Sequence, residues 1–217
     1  MFTDAVNTAY QVANTATGNR IDKGHMNPSL INSFDVNYMQ ATYTLTNAVP
    51  QFIKYNRGVW KTFEGRIANY AKNTCAGKPN GGTLYLLTGT SDYGLIFNPA
   101  VTAMVQDPPP YFTPFPYGFP GITNILGGAP LVTPRALWTA GCCVWQEPGA
   151  VFGYWWPRSE AESFAVMTNN LDTGPDLHQT EMSVADLEVL LTAPGTRRVS
   201  LFPGYAACHY PGNNVII

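Results

Sequence analysis

Charged residues are scarce in this sequence: Lys, Arg, Asp and Glu make up 12% of its 217 residues, and the formal net charge is -2. A chain that is also 45% hydrophobic is too apolar to stay disordered, so a compact globule is expected. It has no overall positive field that could hold a polyphosphate. Binding of nucleic acid would therefore depend on a local basic patch or on a bound cation.

Long apolar segments are also missing. No run of about 18 apolar residues is present, which excludes a membrane-spanning helix, and we expect no membrane partner. The N-terminal segment lacks the basic end and apolar centre of a signal peptide, so an exported protein would have had its signal removed or replaced. Without internal repeats or low-complexity linkers, the length predicts a single domain over residues 1–217.

The cysteines lack the CxxC spacing that is typical of structural zinc and thioredoxin-like redox sites. If the vicinal Cys142 and Cys143 lie in a strand, their side chains point to opposite faces and reach different partners. Cys75 and Cys208 would be those partners, in an order that the sequence leaves open. Two disulfides favour an oxidising compartment, so we expect a secreted protein; the alternative is four buried thiols in a cytosolic one.

Hydrophobic periodicity predicts the main secondary-structure elements. It indicates a helix from about Arg57 to Lys72 with Asn56 as its N-cap. A last helix is predicted to begin after Ser183, which would cap it. Strands are predicted over four segments: Gln40–Leu45, Gly82–Thr88, Arg135–Trp145 and Phe164–Thr168.

Residues 105–134 are so rich in Pro, Gly and aromatics that neither a helix nor the interior of a sheet is credible there. We predict a long ordered loop. It is either an Ω-type loop packed on its own aromatics or a lip of a substrate cleft. Trp155 and Trp156 are interpreted as part of a buried aromatic cluster rather than as residues that stack on bases.

Three short motifs follow one another along the chain. They are DKGHMNP at 22–28, TNAVPQ at 46–51 and YNRGVW at 55–60, the last of which leads to Phe63 and Glu64. In type, order and spacing they resemble the motifs of the DNA/RNA non-specific endonucleases, the ββα-metal or His-Me finger family. Within it they most resemble the secreted type called endonuclease domain-containing 1.

The resemblance extends over most of the chain from about Ile21, because TLYLLTGT, VTPRALWTAGCCVW and MSVADLEVLL are similar to the later strands and final helix of the family. It implies an α+β domain with a mixed sheet, in which a ββα portion at about 20–73 carries the site. Family members usually have further strands before the DKGH-like motif. Only about twenty residues precede it here, so we expect a second chain or self-association to cover the sheet edge, unless the sheet is smaller.

His25 is the candidate general base. Hydrolysis of a phosphodiester requires a base that activates water and a cation that neutralises developing negative charge. An imidazole with an ordinary pKa near 6.5 is mostly neutral at neutral pH and can accept a proton. The alternative is a purely structural histidine.

Asn56 is the candidate metal ligand. Its neutral amide oxygen suits Mg²⁺, with Mn²⁺ or Ca²⁺ also possible, and a single protein ligand implies weak metal binding. Glu64 follows eight residues later, on the same side of the predicted helix, where it could orient water around the ion. The alternatives are a simple helix cap for Asn56 and a solvated surface residue for Glu64.

The sequence departs from the family at two basic positions. Lys23 stands where the resemblance implies arginine, and a lysine cannot make the bidentate phosphate contact of a guanidinium; we still include it among the candidate catalytic residues. Ala68 stands where the family often has arginine, and the nearby Arg66 is not assumed to replace it. Asp22 is interpreted as a structural hydrogen-bond partner. Asn47 either orients the two predicted strands or is an ordinary turn residue.

Taken together, the resemblance implies a Mg²⁺-dependent endonuclease that cuts DNA and RNA with little sequence preference and leaves 5′-phosphates. One alternative is a secreted nuclease-like protein that has lost turnover and serves as a binding or structural component. A second is a small disulfide-rich module unrelated to nucleic acid.

Overall fold

The computed structural model of the chain describes residues 2–17, 21–91, 93–107, 133–147, 158–171 and 179–217. Most of the predicted loop at 105–134 lies outside these residues, as do Trp155 and Trp156. Within the described ranges, no helix combines the length and the apolar character needed to cross a membrane.

The secondary structure is of the α+β class, as predicted. The helices are α1 (Phe2–Thr17), α2 (Val36–Ala41), α3 (Ile53–Tyr55), α4 (Lys61–Tyr70) and α5 (Val184–Leu191). The strands are β1 (Ile21–His25), β2 (Ala48–Phe52), β3 (Thr83–Ser91), β4 (Gly94–Asn98), β5 (Ala103–Asp107), β6 (Ala136–Glu147), β7 (Arg158–Asn169) and β8 (Gln179–Met182).

Within the described ranges, the strands form three sheets. β1 pairs with β2 and β4 with β5, both antiparallel, while the third sheet has the order β3-β6-β7-β8. The last three predicted strands are confirmed by β3, β6 and β7. The cap of the last helix is confirmed as well, because the Ser183 hydroxyl accepts a hydrogen bond from the Asp186 N–H at the start of α5.

The chain forms two compact units. The first comprises residues 1–65, 90–137 and 168–178. In it, Tyr10 and Ala13 of α1 pack with Ile21 of β1 in a buried cluster, so the described residues before β1 form a helix rather than strands.

The second unit comprises residues 66–89, 138–167 and 179–217, and it contains both disulfides. Cys143 is bonded to Cys75, and Cys142 is bonded to Cys208. All four cysteines are buried, and the vicinal pair lies in β6. The prediction that each vicinal cysteine has a different partner is confirmed, and the structure shows which cysteine pairs with which.

The predicted strand at Gln40–Leu45 is wrong. Residues 36–41 are helical, and a 3₁₀ turn at Leu45–Asn47 follows. The reason is local: the Asp35 carboxylate accepts hydrogen bonds from the N–H groups of Asn37 and Tyr38, which caps α2 and overrides the β preference of the Thr and Tyr residues. The second strand of the hairpin is β2, directly after the 3₁₀ turn.

The predicted N-cap at Asn56 is also wrong, because the helix begins three residues earlier, at Ile53. Asn56 already has helical dihedrals, φ -59° and ψ -46°. It opens a π-helical turn that runs from Asn56 to Trp60 and leads into α4, with a break in the dihedrals at Gly58. Tyr55 is fully buried and stacks on Trp60, and this packing stabilises a helix that begins before Asn56.

Candidate active site

A cavity of about 390 Å³ in the first unit brings together three of the four predicted site residues, His25, Asn56 and Glu64. His25 is the last residue of β1, Asn56 opens the π-helical turn, and Glu64 lies in α4. The other residues that line this cavity are Pro28, Ser29, Leu30, Ser33, Met39, Arg57 and Lys61.

The β1–β2 hairpin and the turn before it hold His25 in place. His25 pairs with Ala48 at the end of the ladder, and the next N–H, of Met26, donates to the Asn47 carbonyl at 2.9 Å. The Asn47 side chain accepts from the Asn27 N–H and donates to the carbonyls of Asn27 and Thr42. Asn47, the last residue of the 3₁₀ turn, therefore links the chain just after His25 to the start of β2, which favours the orienting role over that of an ordinary turn residue.

The His25 ring is half-buried and lies edge-on to the ring of Tyr43, with centroids 4.9 Å apart and planes at 88°. Burial lowers the pKa of His25 below its usual 6.5, because the charged imidazolium loses hydration. Among the described residues, neither ring nitrogen has a hydrogen-bond partner. A neutral imidazole that can accept a proton from water is thus available at neutral pH.

Asp22 holds Asn56 and Arg57 together. Its Oδ2 accepts hydrogen bonds from Asn56 Nδ2 at 3.0 Å and Arg57 Nε at 2.8 Å, and its Oδ1 accepts from Arg57 Nη2 at 2.8 Å. Burial alone would raise the pKa of Asp22, but the hydrogen bonds from Arg57 and Asn56 outweigh it and bring this pKa below its usual 3.8. Asp22 is therefore a structural carboxylate, as predicted, and because it accepts from the Asn56 amide nitrogen, the atom of that amide that could bind a cation is its oxygen.

Glu64 has an unusually basic carboxylate. Burial raises its pKa from 4.5 to about 7, and the nearby Trp60 indole and Lys61 ammonium offset only part of that effect. Near neutral pH the group is poised between its neutral and charged forms. A cation close to it would favour the charged form.

The donor atoms at the cavity suit a hard divalent cation. Asn56 supplies a neutral oxygen whose orientation is set by the hydrogen bond to Asp22, and Glu64 supplies a carboxylate. The described ranges contain no group of three or more His, Cys, Asp or Glu side chains that could hold a metal. A cation bound here could take the Asn56 oxygen as a protein ligand, with water and substrate among its other ligands.

Lys23 is not among the residues that line the cavity. Its ammonium donates to the side chain of Asn7 and lies 5.3 Å from the centroid of the Tyr10 ring, both on α1. Arg66 does not line the cavity either, since its guanidinium binds Glu181 and the main-chain oxygen of Ile217.

The cations that do line the cavity are Arg57 and Lys61, and sequence reasoning missed both. The available signal was their position between Asn56 and Glu64, with Lys61 four residues after Arg57 in the same helical run. The Arg57 side chain is 67% exposed even though it pairs with Asp22, so its outer face can meet a phosphate.

Comparison with known proteins places these residues in a family. The sequence matches the family model described as DNA/RNA non-specific endonuclease over residues 2–190, whereas no curated protein sequence matches it significantly. A similar solved structure is a chain in the crystal structure of the EndoG/EndoGI complex, which concerns the mechanism of EndoG inhibition. The two chains are 15% identical with a TM-score of 0.42, and the match covers 74% of this chain.

This chain spans about half of that one, since the match covers 53% of its length. The family model matches most of the sequence and includes every residue of the cavity. The chain therefore belongs to the DNA/RNA non-specific endonuclease family.

Proposed function

We propose that this protein hydrolyses phosphodiester bonds of DNA and RNA endonucleolytically, with little sequence preference, in a reaction that depends on Mg²⁺ and uses His25 as general base. Family membership supports the nuclease class. The observation that carries the proposal is the shared cavity, in which a His25 ring without a hydrogen-bond partner among the described residues lies with an Asn56 amide held by Asp22.

In the proposed reaction, a ring nitrogen of His25 takes one proton from a water molecule whose oxygen attacks phosphorus. The P–O3′ bond breaks on the opposite side, the 3′ oxygen gains a proton from solvent, and the fragment downstream of the cut keeps the phosphate on its 5′ oxygen. A divalent cation held by the Asn56 oxygen, Mg²⁺ or alternatively Mn²⁺ or Ca²⁺, would neutralise negative charge on the phosphate and the leaving oxygen.

The other polar side chains have positioning roles in this proposal. Glu64 accepts hydrogen bonds from water at the cavity, and Arg57 and Lys61 attract the phosphate backbone. Lys23 can approach a phosphate only if it releases Asn7, so we assign it a weaker contact at the edge of the site.

We also propose that the protein is secreted and resembles the endonuclease domain-containing 1 type. The two disulfides support an oxidising compartment.

Association with a second chain or copy along β1 stays a prediction, for which sedimentation velocity is the direct measurement.

A plasmid-nicking assay tests the proposal. Oxidised protein with Mg²⁺ should nick plasmid DNA and degrade RNA, and a chelator should abolish both activities. His25→Ala should lower the rate by about 10² to 10⁴ at any Mg²⁺ concentration, because a general base is lost. Asn56→Ala should also lower it strongly, but high Mg²⁺ should partly restore the rate, since the lesion is one of metal affinity.

Asn73→Ala is the matched control, because Asn73 is exposed later in the same helical run and does not line the cavity. It should nick like the unmutated protein. Failure of the unmutated, oxidised and Mg²⁺-loaded protein to cut single- or double-stranded DNA or RNA would overturn the proposal. A catalytically silent binding protein would then be the better interpretation.

A further inference from the structure

Three aromatic side chains between β1 and β2 are strongly exposed. Phe34 is 75% exposed, Tyr38 is 61% exposed and Tyr43 is 65% exposed. The rings of Phe34 and Tyr38 lie against each other with centroids 5.3 Å apart. We call these three residues the aromatic rim. Contact of large apolar rings with water is unfavourable, so exposed aromatic surface of this kind is typical of a binding site.

The aromatic rim borders the candidate active site. Phe34 follows Ser33 and Tyr38 precedes Met39, and both of these neighbours line the cavity. Tyr43 touches the His25 ring edge-on. Each rim residue is thus next to a cavity residue, along the chain or through a ring contact, and we expect a molecule bound in the cavity to reach the rim.

The segment that carries the rim has almost no charge. Residues 26–52 contain neither Lys nor Arg, and their one charged side chain is the carboxylate of Asp35, which caps α2. The cations of the cavity, Arg57 and Lys61, lie on the helical run instead. The cations of the site, which can attract phosphate, and the exposed rings thus come from different segments of the chain.

We infer that the aromatic rim stacks on unpaired bases next to the scissile phosphate, so that single-stranded DNA or RNA is the preferred substrate. This inference rests on the proposed function. Exposed aromatic faces bind bases of any sequence by stacking, but only where the bases are not already stacked and paired in a duplex. The rim would accept the bases of a single strand, while Arg57 and Lys61 hold its phosphates.

The first test compares cleavage of a single-stranded DNA oligonucleotide and of a duplex of the same sequence. The unmutated protein should have the higher kcat/KM on the single strand. The double variant Phe34→Ala/Tyr38→Ala should lose at least about fivefold per ring on the single strand, as expected for the loss of a stacked base, and keep its duplex activity. Phe97→Ala is the matched control, because Phe97 is 48% exposed on β4 and does not line the cavity.

The second test measures binding without cleavage. The fluorescence anisotropy of labelled oligonucleotides is followed as His25→Ala protein is added in the presence of a chelator. Oligo-dT should bind more tightly than an oligonucleotide of equal length whose central nucleotides are abasic, because the latter keeps the phosphates and lacks the bases. Adding Phe34→Ala/Tyr38→Ala should remove this difference. Equal binding of both probes by the protein that carries only His25→Ala would overturn the inference.

The two tests separate failure of the inference from failure of the proposed function. Cleavage of single strand and duplex with equal kcat/KM, unchanged in the double variant, would overturn stacking and leave the nuclease proposal intact. Absence of all cleavage would overturn the nuclease proposal, and the abasic comparison would still show whether the rim stacks on unpaired bases. A double variant that changes only the oligomeric state in sedimentation would assign the rim to a second copy of the chain and overturn stacking.

Discussion

Asp22 and Lys23 show how neighbouring residues of one motif can have different roles. Successive side chains of a strand point to opposite faces. Asp22 consequently meets Asn56 and Arg57 of the helical run, whereas Lys23 meets Asn7 on α1. The motif alone does not separate these roles, because its letters say nothing about which element covers each face of β1.

Glu64 gives a prediction at the same scale. Its pKa in the folded protein is about 7, above the usual 4.5, so between these pH values the folded state binds more protons than the unfolded state. The free energy of unfolding should therefore fall as pH rises from about 4.5 to about 7 and level off above that. Glu64→Gln, which mimics the neutral carboxyl, should abolish this part of the pH dependence.

Guanidinium denaturation in chelator at several pH values measures the effect. The variant should match the unmutated protein near pH 4.5 and become more stable by up to about 3 kcal/mol near pH 8. Two parallel stability curves would contradict the raised pKa.

At the scale of elements, local patterns predicted most of the fold. Trp60, Phe63 and Ile67 recur at helical spacing and are all buried, so the helix was predicted correctly in its middle. Its start was not, because the burial of Tyr55 is decided by tertiary packing that no local pattern reports. The site followed the same rule, because the motifs identified His25, Asn56 and Glu64, which share the cavity. The pairing of Asp22 with Arg57, 35 residues away, required the hairpin itself.

Gly24 provides a prediction for the β1–β2 hairpin. The Gln51 side chain is fully buried and lies over Gly24, where a Cβ would come within 2.0 Å of the Gln51 Cδ. Gly24→Ala should displace this side chain and lower the free energy of unfolding by about 1–3 kcal/mol. Combining Gly24→Ala with Gln51→Ala should cost clearly less than the sum of the two single changes, because the clash disappears.

Gly65→Ala is the control, since a Cβ at Gly65 of α4 would meet nothing within 4 Å. Ala is the better helix former, so this change should be neutral or stabilising by about 0.5–1 kcal/mol. Strict additivity of Gly24→Ala and Gln51→Ala in chemical denaturation would show that the two side chains do not compete for one space.

At the scale of the whole molecule, the disulfides and the candidate active site are in different parts of the chain. Both disulfides are in the second unit, and every residue that lines the cavity is in the first. The chain passes from one unit to the other within α4, β3, β6 and β7. If residues 1–217 form a single domain, as we predict, loss of the disulfides should also destabilise the segments that line the cavity.

Reduction of both disulfides tests this. The bond from Cys75 to Cys143 spans 68 residues and that from Cys142 to Cys208 spans 66, so each alone should stabilise the fold by about 4 kcal/mol through the entropy of the unfolded chain. Losing both removes a large part of a typical domain stability of about 5–15 kcal/mol. Hydrogen exchange with mass spectrometry, with and without reductant, should show protection lost together in β6 and in the β1–β2 hairpin. A hairpin that keeps its protection while β6 loses it would mean that the two units unfold separately, and the single-domain prediction would be wrong.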